Sequence, residues 1–372
     1  MKIDIKKVES KKELKQFIKL PWKIYKNDKY WVPPLISQMK EKLNPKKHPY
    51  YDFAIVQPFL AYNNKQEPIG RIVAHLNPRH NEIHNENIGF FGFFETIPNE
   101  DVAKALLDKA SAWVKEKGKD AIRGPMNFST NEECGLLVKG FYESPMVMMT
   151  YNPQYYQKYL ENYGFSKAKD LYAFWANYRK IPERFAKFME KISRRADFTV
   201  RKLNKNKFME EVSTIFNVYN EAWRNNWGYV PMTKNEFKHT AKELKAIVDF
   251  DYIYLAEHDG KPIGFSLTLP DVYQALKKIN GKLLPFGWLK LLLASRNIDQ
   301  VRVITLGIIP EYKNRGIDVA FYHKTIQNAL RKGQAQGEMS WILEDNSRMV
   351  NAAKKMGGEV YKVYRVYDKK LV

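Results

Sequence analysis

One cysteine, Cys134, stands in 372 residues, so no internal disulfide staples the fold and no second thiol is available as its partner. Acidic residues are also scarce: 41 Asp and Glu face 62 Lys and Arg, a formal net charge of +21. Histidines number seven, and His75, His80 and His84 recur too irregularly for a ligand set, so no metal site is expected. No apolar run approaches the ~20 residues that cross a bilayer. The opening MKIDIKKVESKKELKQF lacks the apolar core of a secretory signal. Disulfide-scaffold, membrane-spanning and exported classes are not expected, and a cytoplasmic chain is.

What the chain does have is core-forming material. Apolar residues make up 44% and aromatics 14%, which excludes disorder. The length suits two or three domains of roughly 100–200 residues each. A charge of +21 favours anionic partners such as a lipid surface or a polyphosphate ligand. The basic residues are spread along the whole chain rather than gathered in one tail, so nucleic acid is not the expected partner.

Taken in order, residues 1–8 read as a first strand, and Ser10 with Glu13 forms the S-x-x-E capping box of a helix through Leu14, Phe17 and Ile18. Residues 53–62 and 69–76 alternate as a hairpin around a polar turn. Residues 88–97 form a strand, 102–117 an amphipathic helix closed by Gly118, 155–163 a helix and 165–175 a strand. Near Tyr178 to Pro182 the order restarts. Helices at 185–192, 208–223 and 234–247, a hairpin at 252–269 around a D-G turn, and strands at 339–343 and 360–367 repeat the first half at a period of roughly 180 residues. Pro68-Ile69-Gly70 in one half matches Pro262-Ile263-Gly264 in the other.

The most informative stretch is VRVITLGIIPEYKNRGIDVAFYHKTIQNALRKG, residues 301–333. A β-branched run suits a buried strand and stops at Pro310, which cannot donate to a ladder. The basic turn Lys313-Asn314-Arg315-Gly316 follows, then a helical pattern through Val319, Tyr322 and Ile326. Such a helix start presents unpaired amides and the positive end of a dipole, a seat for phosphate. The first half has no counterpart: residues 95–101 read ETIPNED, acidic where an anion would sit.

This stretch resembles the acyl-CoA-binding core of the GNAT acyltransferases, whose pyrophosphate signature is Q/R-x-x-G-x-G/A. Here it reads Lys313-Asn314-Arg315-Gly316-Ile317-Asp318, with Asp318 in place of the last small residue. YWVPPL at 30–35, GFFGFFE at 89–95, GPMNFSTNEECGLL at 124–137, SWILEDNSRM at 340–349 and VYRVYDK at 363–369 make the whole chain look like the tandem-GNAT proteins. The resemblance implies an α/β (α+β) fold of two tandem GNAT-like domains, each a mixed, mostly antiparallel twisted sheet flanked by helices. The first, 1–178, is degenerate, and the second, 179–372, carries the thioester.

By the same resemblance the chain is an N-acyltransferase passing an acyl group directly from acyl-CoA, acetyl or longer, to an amine. Leu306, Gly307 and Ile308 border the thioester; Lys313, Asn314, Arg315, Gly316, Ile317 and Asn346 hold the cofactor. Glu344 and Asp345, at the end of the fifth strand, are the acid/base candidates, with a helix cap as the competing role for Asp345 or Asn346. The family's tyrosine acid falls at Ala353, so Tyr361, Tyr364 or water is left to protonate the thiolate, if anything does. Some proteins of this appearance are bacterial ceramide synthases, which N-acylate a long-chain sphingoid base. That makes a lipid-like amine the acceptor to test. A Fem-like transferase using aminoacyl-tRNA and a non-catalytic GNAT-fold module are the alternatives. Finally, residues 282–294, KLLPFGWLKLLLA, are apolar, Trp-bearing and flanked by cations. They suit a buried helix, a channel wall or a helix lying in a membrane interface. Peripheral contact with the anionic inner membrane face is therefore expected alongside a cytoplasmic location.

Overall fold

The computed structural model describes residues 2–371. Met1 of the expected first strand and Val372 of the expected second domain lie outside them. The chain forms two compact units. One comprises Met1–Leu171, Leu276–Leu291 and Lys362–Val372; the other comprises Tyr172–Ala275 and Leu292–Tyr361. The restart expected at 178/179 lies a short way past the first of these divisions. The last strand of each half crosses a division and contributes to both units.

In the first unit, β1 (Asp4–Lys7) is followed by α1 (Lys11–Ile24) and α2 (Ile36–Lys42). The expected capping box forms: Ser10 Oγ accepts from the Glu13 amide at 3.2 Å, and Glu13 accepts from the Ser10 amide at 2.9 Å. β2 (Ile55–Tyr62) and β3 (Pro68–Leu76) make the hairpin, α3 (Pro78–His84) leads into β4 (Ile88–Thr96), and α4 (Glu100–Glu116) into β5 (Ala121–Gly124). Short β6 (Met126–Asn127), β7 (Glu133–Cys134) and β8 (Leu136–Lys139), α5 (Tyr155–Asn162) and β9 (Ser166–Asn177) complete the first half. Strands β1 to β4 run antiparallel in sequence, and β4 pairs β5 in parallel. β3 is buried on both faces because its side chains alternate. Ile72 and Ala74 pack on Leu106, Ala110 and Val114 of α4, and Val73 packs with Phe17 and Ile18 of α1.

The second unit begins with α6 (Glu183–Arg194), β10 (Thr199–Lys202), α7 (Phe208–Trp223) and α8 (Lys234–Lys245). Then come β11 (Ile253–His258), β12 (Lys261–Pro270), α9 (Tyr273–Leu276), α10 (Gly287–Ser295) and β13 (Gln300–Ile308). α11 (Ile317–Arg331), β14 (Gln336–Leu343), α12 (Ser347–Lys355) and β15 (Glu359–Lys370) end the chain. The order β10-β11-β12-β13 is antiparallel, and β13 pairs β14 in parallel. One face of this sheet carries Val301 and Val303 against Tyr322, Ile326 and Ala329 of α11. The other carries Leu255 and Phe265 against Val212 and Ile215 of α7.

Beyond β14 the second sheet continues into β9, the strand that ends the first half. The far end of β15, the chain's last strand, pairs β5 of the first unit from Tyr367↔Gly124 to Lys370↔Ala121.

Candidate active site

The parallel ladder of β13 and β14 stops early. It pairs Gln300↔Gln336 through Val303↔Met339, while the strands run on to Ile308 and Leu343. Past Val303 the two strands share no ladder, which leaves a wedge between them. A register shift against β12 between Leu267 and Thr268 leaves Ile304 as the extra residue of β13, a bulge at the point where the wedge opens. Ile304, Thr305 and Leu306 are only half-buried although their strand is internal to the sheet.

Alternation fixes which amides face the wedge. The Ile309 amide donates to the Ile263 carbonyl on the β12 side at 2.9 Å. Stepping back by twos, Gly307 and Thr305 also turn their amides to β12, and Ile308 and Leu306 turn theirs to the wedge. Of the three strand residues expected at the thioester, Leu306 and Ile308 therefore offer donors. Gly307 does something else: a Cβ there would fall 2.0 Å from the Trp223 ring, so its hydrogen lets Trp223 of α7 pack close against β13. Thr305 Oγ1 is buried without a hydrogen-bond partner on the strand bordering the wedge, which fits a polar ligand there.

At the end of β13 the basic turn forms as the sequence implies. Asn314 has φ +71° and Gly316 φ +82°, left-handed conformations that cost Asn and Gly little. Gly316 is the N-cap of α11, and no side chain caps the helix start. Ile192 of α6 sits 2.5 Å from where a Cβ on Gly316 would be, so shape as well as φ selects glycine. Asp318, the departure from the family signature, is buried and points away: its carboxylate meets Arg348 Nη2 at 2.9 Å. Arg348 Nη1 donates to Asn314 Oδ1 at 2.7 Å, so one guanidinium of α12 neutralises the carboxylate and braces the turn. Arg315 lies over the Tyr312 ring and pairs with Asp197 at 2.9 Å, and Lys313 is exposed.

The carboxylates expected at the end of β14 differ in exposure. Glu344 is half-buried, Asp345 is exposed in the turn that follows, and Asn346 caps α12 by accepting from the Met349 amide at 3.2 Å. Ala353, at the place of the family tyrosine, is buried in the core of the second unit. Tyr364 belongs to the first unit, whereas the Tyr361 hydroxyl donates to Glu338 of β14. His323 faces Glu190 of α6, and burial pulls its pKa below the usual histidine value. Cys134 is buried, which pushes its thiol up to about 12 and leaves it inert. Among the described residues no group of His, Cys, Asp and Glu is placed to hold a metal.

A charged cluster escaped the sequence reading. Arg302 and Glu338 are buried, 3.3 Å apart, on the last rungs of the ladder below the wedge. Ser340 Oγ accepts from Arg302 Nε at 2.9 Å and donates to the Glu338 carboxylate. The available signal was Arg302 itself, a cation breaking the apolar run from Val301 to Ile309.

The first unit closes both features that the second leaves open. Its β4–β5 ladder also ends early, at Phe90↔Arg123, but β6 occupies the gap: the Asn127 side chain accepts from the Phe93 amide at 2.6 Å, and a Cβ on Gly92 would meet the Met126 carbonyl at 1.8 Å. α4 is capped by Asn99, which accepts from the Val102 amide, and carries Glu100 and Asp101 in its first turn. The Phe93 amide and one amide at the start of α4 are thus already paired within the protein.

No family model matches the chain. Among solved structures it is similar to a tandem GNAT protein from the clavulanic acid biosynthesis pathway, with a TM-score of 0.58 at 10% identity, covering 100% of this chain and 99% of that one. It is also similar to a GCN5-related N-acetyltransferase from Anabaena variabilis, with a TM-score of 0.53 at 10% identity, covering 100% of this chain and 73% of that one. Two curated relatives are far nearer in sequence. Protein YghO of Escherichia coli is 36% identical over 371 residues, 97% of this chain and 94% of its own length. The bacterial ceramide synthase of Caulobacter vibrioides is 36% identical over 374 residues, 98% of this chain and 96% of its own length. This chain belongs to the same family as these two. As a family member it is an N-acyltransferase, and its mixed, mostly antiparallel sheets are those of the GNAT fold. The two halves differ in that the second wedge is open and the first is filled by β6.

Proposed function

We propose that the chain transfers an acyl group from acyl-CoA to a long-chain, lipid-like amine, with the thioester held by the second unit. The observation that carries the first half is the ladder ending at Val303↔Met339 directly before an uncapped, glycine-started helix. Supporting the second half is the 36% identity, across nearly the whole chain, to a protein named as a ceramide synthase.

In this reading the pyrophosphate lies on the amides around Gly316 and Ile317, with Lys313 and Arg315 adding positive charge. The acyl carbonyl oxygen accepts from Leu306 or Ile308. A neutral amine nitrogen attacks the carbonyl carbon, the C–N bond forms, and negative charge collects on the oxygen facing those amides. Collapse breaks the C–S bond and releases CoA thiolate. The proton shed by the amine passes to Glu344, directly or through water, and ends on the thiolate or in solvent. Asp345, exposed in the same turn, is the secondary candidate. Arg302 and Glu338, closed in their own hydrogen bonds, hold the base of the wedge.

Titration of the purified chain with acetyl-, octanoyl- and palmitoyl-CoA, followed by mass spectrometry of reactions with a short and a long-chain amine, tests the reading. Expected are thermal stabilisation by at least one acyl-CoA and an amide product formed faster with the long-chain amine. Glu344→Gln should lower kcat by about a hundredfold or more while leaving acyl-CoA affinity unchanged. Stabilisation by no acyl-CoA of any length would overturn the proposal and favour a non-catalytic module. An unshifted kcat in Glu344→Gln would remove that residue as the base.

A further inference from the structure

We propose that residues 284–293 form a membrane-docking arm that lies in the interfacial region of an anionic lipid bilayer. In a soluble protein, large apolar side chains are exposed singly, and a contiguous exposed cluster marks an interaction surface. Leu284 is 78% exposed, Phe286 68% and Trp288 53%, with Leu289, Leu292 and Leu293 between 41% and 54%. The sequence leaves open whether this stretch is buried, and the structure puts it outside.

The arm is held up rather than loose. At its base, Asn280 Oδ1 accepts from Trp22 Nε1 at 2.8 Å, and the Gly281 carbonyl accepts from the Ile36 amide at 3.1 Å. A Cβ on Gly287 would fall 1.9 Å from the Lys282 carbonyl, and the Trp288 amide donates to the Leu283 carbonyl at 2.8 Å, which folds the tip back into α10. A firm base under an apolar tip prepays part of the ordering cost of docking.

Charge identifies the partner. Lys277, Lys278, Lys282, Lys290 and Arg296 are all exposed, and Asp299 is the one acidic residue from 277 to 300. Cations interleaved with Trp and Leu match a layer of anionic headgroups over acyl chains, where lysine stems can reach back to the phosphates. A second copy of the chain fits less well: a twofold contact would set the same lysines against one another, on molecules of net charge +21 each. The nine residues of α10, about 13 Å long, lie in the interface and do not cross it. The inference stands on exposure and charge, independently of the acyl-transfer reading.

The test is flotation of the full chain with vesicles of phosphatidylcholine alone, or with about a third phosphatidylglycerol, at low and high salt. Expected is binding to the anionic vesicles, weakened by salt. The variant Leu284→Ser/Trp288→Ser/Leu292→Ser should bind at least about tenfold less tightly. All three side chains are more than half exposed, so its melting curve should match the wild type. Lys282→Gln/Lys290→Gln should lose binding to anionic vesicles selectively. Three results would overturn the proposal: no binding of wild type to anionic vesicles at low salt, equal binding by the triple serine variant, or self-association in sedimentation velocity that the triple variant abolishes. The last would assign the arm to contacts between copies.

Discussion

At the scale of single residues, Arg302 and Glu338 show what a charge costs inside a sheet. Arg302 is 2% exposed and Glu338 is not exposed at all. Each was stripped of water, and the other, with Ser340 and Tyr361, replaces the lost hydrogen bonds. Such a pair adds little net stability over an apolar pair of similar volume, but breaking it leaves a buried uncompensated charge. Arg302→Leu should therefore cost about 3–5 kcal/mol in urea unfolding. Arg302→Leu/Glu338→Leu should recover a large part of that loss. If the double variant unfolds as easily as the single one, the pair is not the cause and the arginine's packing over Trp341 is. The pair closes the base of the wedge, so the double variant also asks whether a stable but uncharged base still supports turnover.

At the scale of elements, the turn from Lys313 to Gly316 is built by parts distant in sequence. Gly316 needs its left-handed φ and the space left by Ile192; Asn314 and Asp318 need Arg348 of α12. Gly316→Ala meets both penalties, about 1–2 kcal/mol for the backbone plus a clash with Ile192. It should lower acyl-CoA affinity in calorimetry by well over tenfold. Arg348→Ala should cost about 1–3 kcal/mol, because buried Asp318 loses its ion pair although Arg348 itself is 41% exposed. It should also weaken acyl-CoA binding about tenfold, because Asp318 would lose its counter-charge beside the proposed pyrophosphate seat. Arg348→Lys should restore this only in part, since one ammonium cannot serve Asn314 and Asp318 in a fork. Unaltered binding in Arg348→Ala would mean that Asp318 is harmless without its partner.

The same elements show why some of the site was readable in advance and some was not. Strand, basic turn and helix are local patterns, as are the capping box at Ser10 and the acidic start of α4. They can be read without tertiary structure because their causes are propensity, capping and charge within a few residues. The Asp318–Arg348 pair joins residues thirty apart. The wedge depends on where a ladder stops, and the plug of the corresponding gap in the first unit on β6, held through Asn127 and His75. None of these has a local signature. For the apolar stretch at 282–294, buried and exposed helices share one composition, so periodicity could not decide between them.

At the scale of the whole molecule, one order of elements appears twice with opposite outcomes. The second half keeps its wedge and its uncapped helix. The first fills the gap with β6, and β6 is fastened in part by His75, a group that titrates. His75, fully buried, lies between the Tyr50 hydroxyl on Nδ1 at 2.8 Å and the Met126 carbonyl on Nε2 at 3.2 Å. The carbonyl requires a proton on Nε2, so Nδ1 accepts from Tyr50 and the ring is neutral. Burial pulls the His75 pKa down to about 3, and burial likewise pulls His80 to about 4 against its bond to Glu86. Both folded values lie below the unfolded histidine value of ~6.5. Between those limits the unfolded chain takes up a proton that the folded chain refuses. Stability from these two residues is thus complete above pH ~6.5 and drains away as pH falls, by about 1.4 kcal/mol per pH unit for each histidine. Denaturant unfolding between pH 7 and pH 5 should show this decline while most carboxylates stay ionised. His75→Leu should be less stable at pH 7 but should shed roughly half of the slope, because the proton it refuses is removed from both states. A slope unchanged in that variant would place the acid sensitivity elsewhere and would separate the plug at Met126 from the pH response of the first unit.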